Sequence, residues 1–270
     1  GAGIKTYVLP RALPTPVLAF AINKLKVDVG IMVTASHNPA TDNGYKVYLG
    51  GLLDGINYRG SQIIPPVDTE ISSLISRANK NPPRSQDIQT VNESVIDDYI
   101  SSVAALSTTE NNLKVVYTPL HGVGAETFIE VFKRAKFASP ILVSEQVNPD
   151  PNFPTTPFPN PEEPGSMDMA LNYAKTNEAD VVIANDPDAD RCAIAVVNPQ
   201  GLWQVLRGDE VGILLGDYLI NKSSTLNTSI ANSLVSSSLL GKIANKHGLK
   251  FEETLTGFKW ISKIDNLLFG

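Results

Sequence analysis

The sequence predicts an α/β fold, and three observations predict it. Short apolar runs recur along the 270 residues, helical patterns alternate with them, and a polar loop follows each run. Composition agrees, with 42% hydrophobic and 19% charged residues, and the length gives a prior near two domains. The first run, residues 27–33 (VDVGIMV), reads as a buried strand leading into Thr34-Ala35-Ser36-His37-Asn38-Pro39. The second, residues 113–117 (LKVVY), leads into Thr118-Pro119-Leu120-His121-Gly122 and a helix over 125–136. The third, residues 179–184 (ADVVIA), leads into Asn185-Asp186-Pro187-Asp188-Ala189-Asp190-Arg191. A fourth unit starts at 228–234, with Ser236-Ser237-Ser238 opening a helix over 239–247. Loops at the carboxyl ends of such strands are where α/β proteins place their chemistry.

Between these units lie breaks. Residues 79–84 (NKNPPR) are breaker-rich, an amphipathic helix follows over 93–106, and polar residues 107–112 lead to the second unit. Asn198-Pro199-Gln200-Gly201 is a turn signal that can close it. Seven prolines fall within residues 149–164, a density that excludes helix and central strand and reads as a stiff surface connection. The chain begins without Met and ends at Gly270 just after an apolar run, so it reads as a piece of something longer.

Charge narrows the function. Asp plus Glu outnumber Lys plus Arg by 28 to 22, and the net charge of −6 argues against broad nucleic-acid binding, which needs a basic face. An anionic ligand therefore needs a local positive cluster or a metal. The single cysteine, Cys192, permits no internal disulfide and reads as a small buried filler. No run approaches the length of a membrane span, and no secretory pattern opens the chain.

Residues 186–191 carry the strongest signal. Three carboxylates alternate directly after an apolar strand, a spacing that lets one turn aim all three at a hard divalent cation. A calcium EF-hand loop would need Gly and Glu where Arg191 and Val197 stand. The alternative is a solvated acidic turn. Arg191 suits a phosphate touching the same metal, or else a local salt bridge. The Ser36 loop offers a nucleophile or phosphoryl carrier, or else a turn held by Ser and Asn side chains. The G-x-S-x-G elbow is absent, and so is a P-loop. Lys46 falls where a short hairpin would bring it back over the Ser36 loop. Gly122-Val123-Gly124 lacks the third glycine of a dinucleotide fingerprint and reads as a tight turn into a helix.

Together these stretches resemble the α-D-phosphohexomutase superfamily. TASHNP (34–39) is similar to its phosphoserine loop, NGYK (43–46) follows at the expected place, and DPDADR (186–191) resembles its magnesium loop. TGFKW (256–260) is similar to the phosphate-contacting loop of the third domain. YTPLHGVG (117–124) and residues 149–163 resemble the branch of phosphoglucomutases, phosphopentomutases and bacterial phosphomannomutases. The resemblance implies repeated α/β domains with mixed sheets and an active-site cleft between domains. It divides this chain into an N-terminally incomplete domain over 1–110, a second over 111–202, and the start of a third over 203–270. The first strand region of domain 1, a Gly-Glu-Glu sugar loop and a fourth domain are expected outside it.

The implied activity is a phosphosugar mutase that moves a phosphoryl group between the 1- and 6-positions of a hexose phosphate. Glucose is the first expectation and mannose the next. The alternatives are a phosphopentomutase, a metal-dependent phosphatase, or an inactive phosphosugar-binding protein. Ser36 would carry the phosphoryl group, and Mg²⁺ would be held by Ser36, Asp186, Asp188 and Asp190. Lys46 would be general acid/base, Arg191 would hold the transferring group, and His37 would assist. Asn38 would fix the loop at the substrate, and Lys259 would clamp substrate. A sugar 1,6-bisphosphate is the expected activator. The expected partners are a phosphosugar but no nucleic acid or membrane, in a cytoplasmic monomer or weak dimer.

Overall fold

The computed structural model describes residues 3–107, 112–223 and 227–270. Three α/β units follow one another. In the first, Thr6–Val8 pairs in parallel with Ile88–Thr90. The helix Thr15–Leu25 opens with prolines, whose missing N–H groups cost nothing in a first turn, and ends at Lys26 in the left-handed conformation. Its Val17 and Ala21 pack against Val95, Ile96 and Ile100 of the helix Glu93–Ala104. The helix Glu93–Ala104 is capped by Asn92, which accepts from the Ser94 N–H. Val29–Val33 then runs antiparallel to Tyr45–Leu49, which pairs onward with Ser61–Gln62.

The first apolar run is a strand, but not a buried one. Of Val29–Val33 only Gly30 is buried, and Val33 is 83% exposed. The strand lies at the edge of its three-stranded sheet, along an apolar groove of about 1100 Å³ that Thr6, Tyr7 and Val8 also line. Hydrophobicity marked the strand; what covers it depends on neighbours that a local pattern does not encode.

The second unit is a five-stranded mixed sheet in the order Trp203–Val205, Cys192–Val197, Val181–Asn185, Val115–Thr118, Ile141–Leu142. Val116, Val182, Ala184, Ala193 and Ala195 form its core with Met167, Ala170 and Ala174 beneath. The parallel neighbours Val115–Thr118 and Val181–Asn185 end at the same edge, which brings residues 119–123 against residues 186–191. The turn at residues 198–201 is present, but it closes a hairpin rather than the unit. Trp203–Val205 pairs back on Cys192–Val197, so this sheet extends beyond the break expected at residue 202. The break expected near residue 110 lies outside the described residues. Cys192 is exposed, because strand alternation turns Ala193 and Ala195 inward instead. The proline-rich residues 149–164 hold no helix or strand, yet they are not simply surface: Thr156 and Asn160 are buried.

The third unit is a parallel three-stranded sheet in the order Lys250–Thr254, Ser229–Ser233, Leu267–Phe269. The helices Gly208–Lys222 and Leu239–Lys246 pack on it through Ile220, Leu240 and Ala244. Among the described residues no helix is long and apolar enough to cross a membrane.

Candidate active site

The acid loop is a tight turn at the end of Val181–Asn185. Ala189 takes a left-handed φ of 52°, and its N–H donates to the Asp186 carbonyl at 2.9 Å. This aims three carboxylates inward, with one oxygen from each lying within 4.8 Å of the others. Asp186 and Asp188 are only 0% and 4% exposed. Asp186 Oδ1 accepts from the Arg191 N–H at 3.0 Å, and the Arg191 Nε lies 3.9 Å from Asp186 Oδ2. Asp188 Oδ2 accepts from Lys46 Nζ at 2.7 Å and from Thr15 Oγ1 at 2.8 Å. Lys46 Nζ also donates to Asp190 Oδ2 at 2.6 Å. Asp190 Oδ1 is buried without a hydrogen-bond partner among the described residues.

The electrostatics follow from this crowding. Burial, and then the charges of Asp188 and Asp190, push the Asp186 carboxyl well above the carboxylate range. Burial pushes Asp188 the same way, but hydrogen bonds from Lys46, Thr15 and Ser36 outweigh it and hold that carboxyl low. Burial works against the Lys46 ammonium, yet Asp188 and Asp190 outweigh it and raise its pKa. An all-oxygen donor set with one orphaned buried carboxylate oxygen fits a hard divalent cation such as Mg²⁺.

Ser36 meets this cluster from the first unit. Its backbone is left-handed, with φ of 55°, and its N–H donates to Thr34 Oγ1 at 2.8 Å. That turn points Oγ at Asp186 Oδ2 and Asp188 Oδ1, both at 3.1 Å, with His37 Nδ1 at 3.2 Å. Burial, then the Arg191 charge, lowers the His37 pKa. The hairpin expected at residues 43–46 is real: Met32 faces Lys46 across the antiparallel pair. Gly44 is needed there, since a Cβ would lie 2.7 Å from the Thr34 carbonyl oxygen. Asn38 turns instead to Asp42, donating to its Oδ2 at 3.0 Å, and so braces the loop.

Lys46, Asp190 and Arg191 line one side of a cavity of about 600 Å³ between the units. Lys259, Thr256, Gly257 and Ser237 of the third unit line the other. Ser36, Asn38 and Asp188 line the neighbouring 1100 Å³ groove, so the Lys46 ion pairs stand between the two spaces. The structure thus gathers Ser36, His37, Lys46, Asp186, Asp188, Asp190 and Arg191, and sets Lys259 across from them. Thr15 escaped the sequence reading. Its hydroxyl and its N–H both bind Asp188, and its only local mark is the Pro14-Thr15-Pro16 start of a helix.

Comparisons with known proteins agree with this geometry. Models described as phosphoglucomutase/phosphomannomutase alpha/beta/alpha domains I, II and III match residues 1–82, 97–200 and 207–266 in turn. A Haemophilus influenzae protein named "Probable phosphomannomutase" is 47% identical, over 100% of this chain and 56% of its own length. Human phosphopentomutase is 39% identical, over 96% of this chain and 45% of its own. A phosphoglucomutase/phosphomannomutase family protein from Burkholderia thailandensis shares the fold at a TM-score of 0.72 and 22% identity, over 92% of this chain and 51% of that one. The chain spans about half the length of the curated relatives it matches. With three domain models in family order and the acid, serine and lysine loops converging as described, the chain belongs to the α-D-phosphohexomutase superfamily.

Proposed function

We infer that this chain carries the phosphoryl-transfer centre of a phosphosugar mutase working between the 1- and 6-positions of a hexose phosphate. The observation that carries the reading is the Ser36 hydroxyl, 3.1 Å from two carboxylates of a cluster whose third acid keeps an orphaned oxygen. A serine that served only its own turn would have no reason to point into buried negative charge. The superfamily resemblance supplies the rest: Ser36 as phosphoserine in the resting enzyme and a sugar 1,6-bisphosphate as activator and intermediate.

A divalent cation held by Asp186, Asp188, Asp190 and a Ser36 phosphate oxygen would offset the charge of the phosphoryl group. Around it the protein positions and stabilises, which is most of what phosphoryl transfer asks. The bond from Ser36 Oγ to phosphorus breaks as one forms to a sugar oxygen. Lys46, an ammonium held by Asp188 and Asp190 in this structure, would exchange the proton of that oxygen once a cation occupies those carboxylates, taking it from the attacking hydroxyl and returning it when a sugar oxygen leaves in the second transfer. Arg191 binds the transferring group from the cavity side, and His37 hydrogen-bonds at Ser36 Oγ. Asn38 keeps the serine loop braced for substrate, and Lys259 clamps the far phosphate.

Glucose is the first choice of sugar and mannose the second. Pentose phosphate is a second reading, favoured by the identity to human phosphopentomutase. The test is turnover by the intact protein with Mg²⁺ and glucose 1,6-bisphosphate, offered glucose, mannose and ribose phosphates in parallel. Interconversion of glucose 1- and 6-phosphate, lost in Ser36→Ala, is the expected result. Release of inorganic phosphate without isomer formation would make the protein a phosphatase instead.

A further inference from the structure

The acid loop is gripped from behind by residues that the reading above does not use. Asn185, the last residue of its strand, folds its side chain across the loop. Its Nδ2 donates to the Arg191 carbonyl at 2.6 Å, so one side chain ties together the two ends of the acid turn. Its Oδ1 accepts from the Tyr117 hydroxyl at 2.8 Å. Tyr117 is fully buried, and its ring stacks on Phe128 with centroids 3.8 Å apart and planes 7° from parallel. Burial, above all, raises its pKa, so the phenol remains a donor across the working pH range.

The next loop presses on the same turn. The Val123 N–H donates to the Pro187 carbonyl at 2.9 Å. Gly122 approaches so closely that a Cβ there would sit 2.3 Å from Pro187 Cα. A Cβ on Gly124 would sit 2.6 Å from the Tyr117 hydroxyl. Two independent contacts, one hydrogen-bonded and one steric, thus leave the turn little freedom.

We propose that Tyr117 and Asn185 are positioning residues for the cation site, because the chain Tyr117–Asn185–Arg191 carbonyl fixes the turn that aims Asp186, Asp188 and Asp190 at one point. The proposal rests on the cation reading of those acids. Neither residue touches the reacting atoms. Both act by holding ligands that would otherwise spread, since three neighbouring carboxylates repel. Partners behind the ligands of a metal site commonly govern affinity by about 10- to 100-fold.

The test is direct binding of Mn²⁺, as the probe for a hard divalent cation, followed by electron paramagnetic resonance without substrate. Tyr117→Phe removes one oxygen and keeps the ring stack. It should weaken Mn²⁺ binding about tenfold, and Asn185→Ala should do the same. The double variant should be no weaker than the worse single one, as members of one chain are not additive. Phe128→Leu is the control, disturbing the same core without the hydrogen bond; it should lower the unfolding temperature and leave Mn²⁺ affinity unchanged. Unaltered Mn²⁺ affinity in Tyr117→Phe, or an equal loss in Phe128→Leu, would overturn the positioning role alone. Failure of the wild-type protein to bind Mn²⁺ would remove the cation site and the proposal with it.

Discussion

At one wall of the 600 Å³ cavity, Lys46 holds Asp190 at 2.6 Å and, behind the wall, Asp188 at 2.7 Å, which Thr15 also holds. On the facing wall, the Lys259 ammonium lies 5.9 Å from the centroid of the Trp260 ring, and Thr256 is exposed. This first wall and the residues behind it are built by two units that lock each other, because Thr15, Ser36 and Lys46 come from one and the acids from the next. The second is tethered more lightly. Trp260 docks on Leu49, Tyr58, Ile64 and Val67, while Lys263 reaches Ser61 Oγ, the Gln62 carbonyl and the face of Tyr58. The difference teaches where each duty sits. On the function proposed above, the groups that must be placed to fractions of an ångström for bond breaking would be the over-determined ones, and the groups that receive a substrate would be those left room to close on it.

That division can be broken by substitution in the intact protein. Ser36→Ala should cause the largest loss, on the order of 10⁴- to 10⁶-fold in kcat as for other removed nucleophiles, with no phosphoenzyme detectable by mass. Asp188→Asn should come next. It removes a charge that two units share, so Mg²⁺ titrations should shift by about a hundredfold or more. The unfolding free energy should fall by about 3–5 kcal/mol, the usual cost of breaking a buried ion pair by removing one partner. An unchanged metal titration would take Asp188 out of the site.

Lys259→Ala should act differently. A hydrogen bond to a charged group contributes about 1.5–3 kcal/mol, so KM should rise by about 10- to 100-fold while kcat moves much less. If kcat fell as far as in the first-wall variants, the two walls would not divide the work as described.

The smallest expected effect sharpens the tether. Burial pushes the Lys263 amine down to about 8. An unfolded lysine titrates near 10.4, so between those values the unfolded state binds more protons and stability rises with pH. The burial penalty is fully present below pH 8 and relieved as pH climbs toward 10. The unfolding temperature of the wild type relative to Lys263→Met should therefore rise across that window and stay constant below it. A difference that does not vary with pH would show that the Lys263 contact is as wet as any surface lysine.

How much of this the sequence disclosed depended on range. Asp186, Asp188 and Asp190 stand two apart behind an apolar strand, and Ser36 and Lys46 sit on one hairpin, so short windows reveal them. Thr15 meets Asp188 across 173 positions and Tyr117 meets Asn185 across 68. No local pattern encodes either contact. The exposure of Val29–Val33 and of Cys192 was misjudged for a related reason. Apolarity marks a strand, whereas its neighbours and the phase of alternation decide which side chains are covered. The turn at residues 198–201 was recognised as a turn, but nothing in its four residues tells a hairpin from the end of a unit.

The central claim is that Ser36 is the phosphoryl carrier. The intact protein, treated with glucose 1,6-bisphosphate and Mg²⁺, should be weighed and then mapped by peptide mass. The account expects one phosphoryl group, on the peptide containing Ser36, discharged when a hexose monophosphate is added. A protein that binds Mn²⁺ yet takes up no phosphoryl group, or takes it up at another residue, would contradict it.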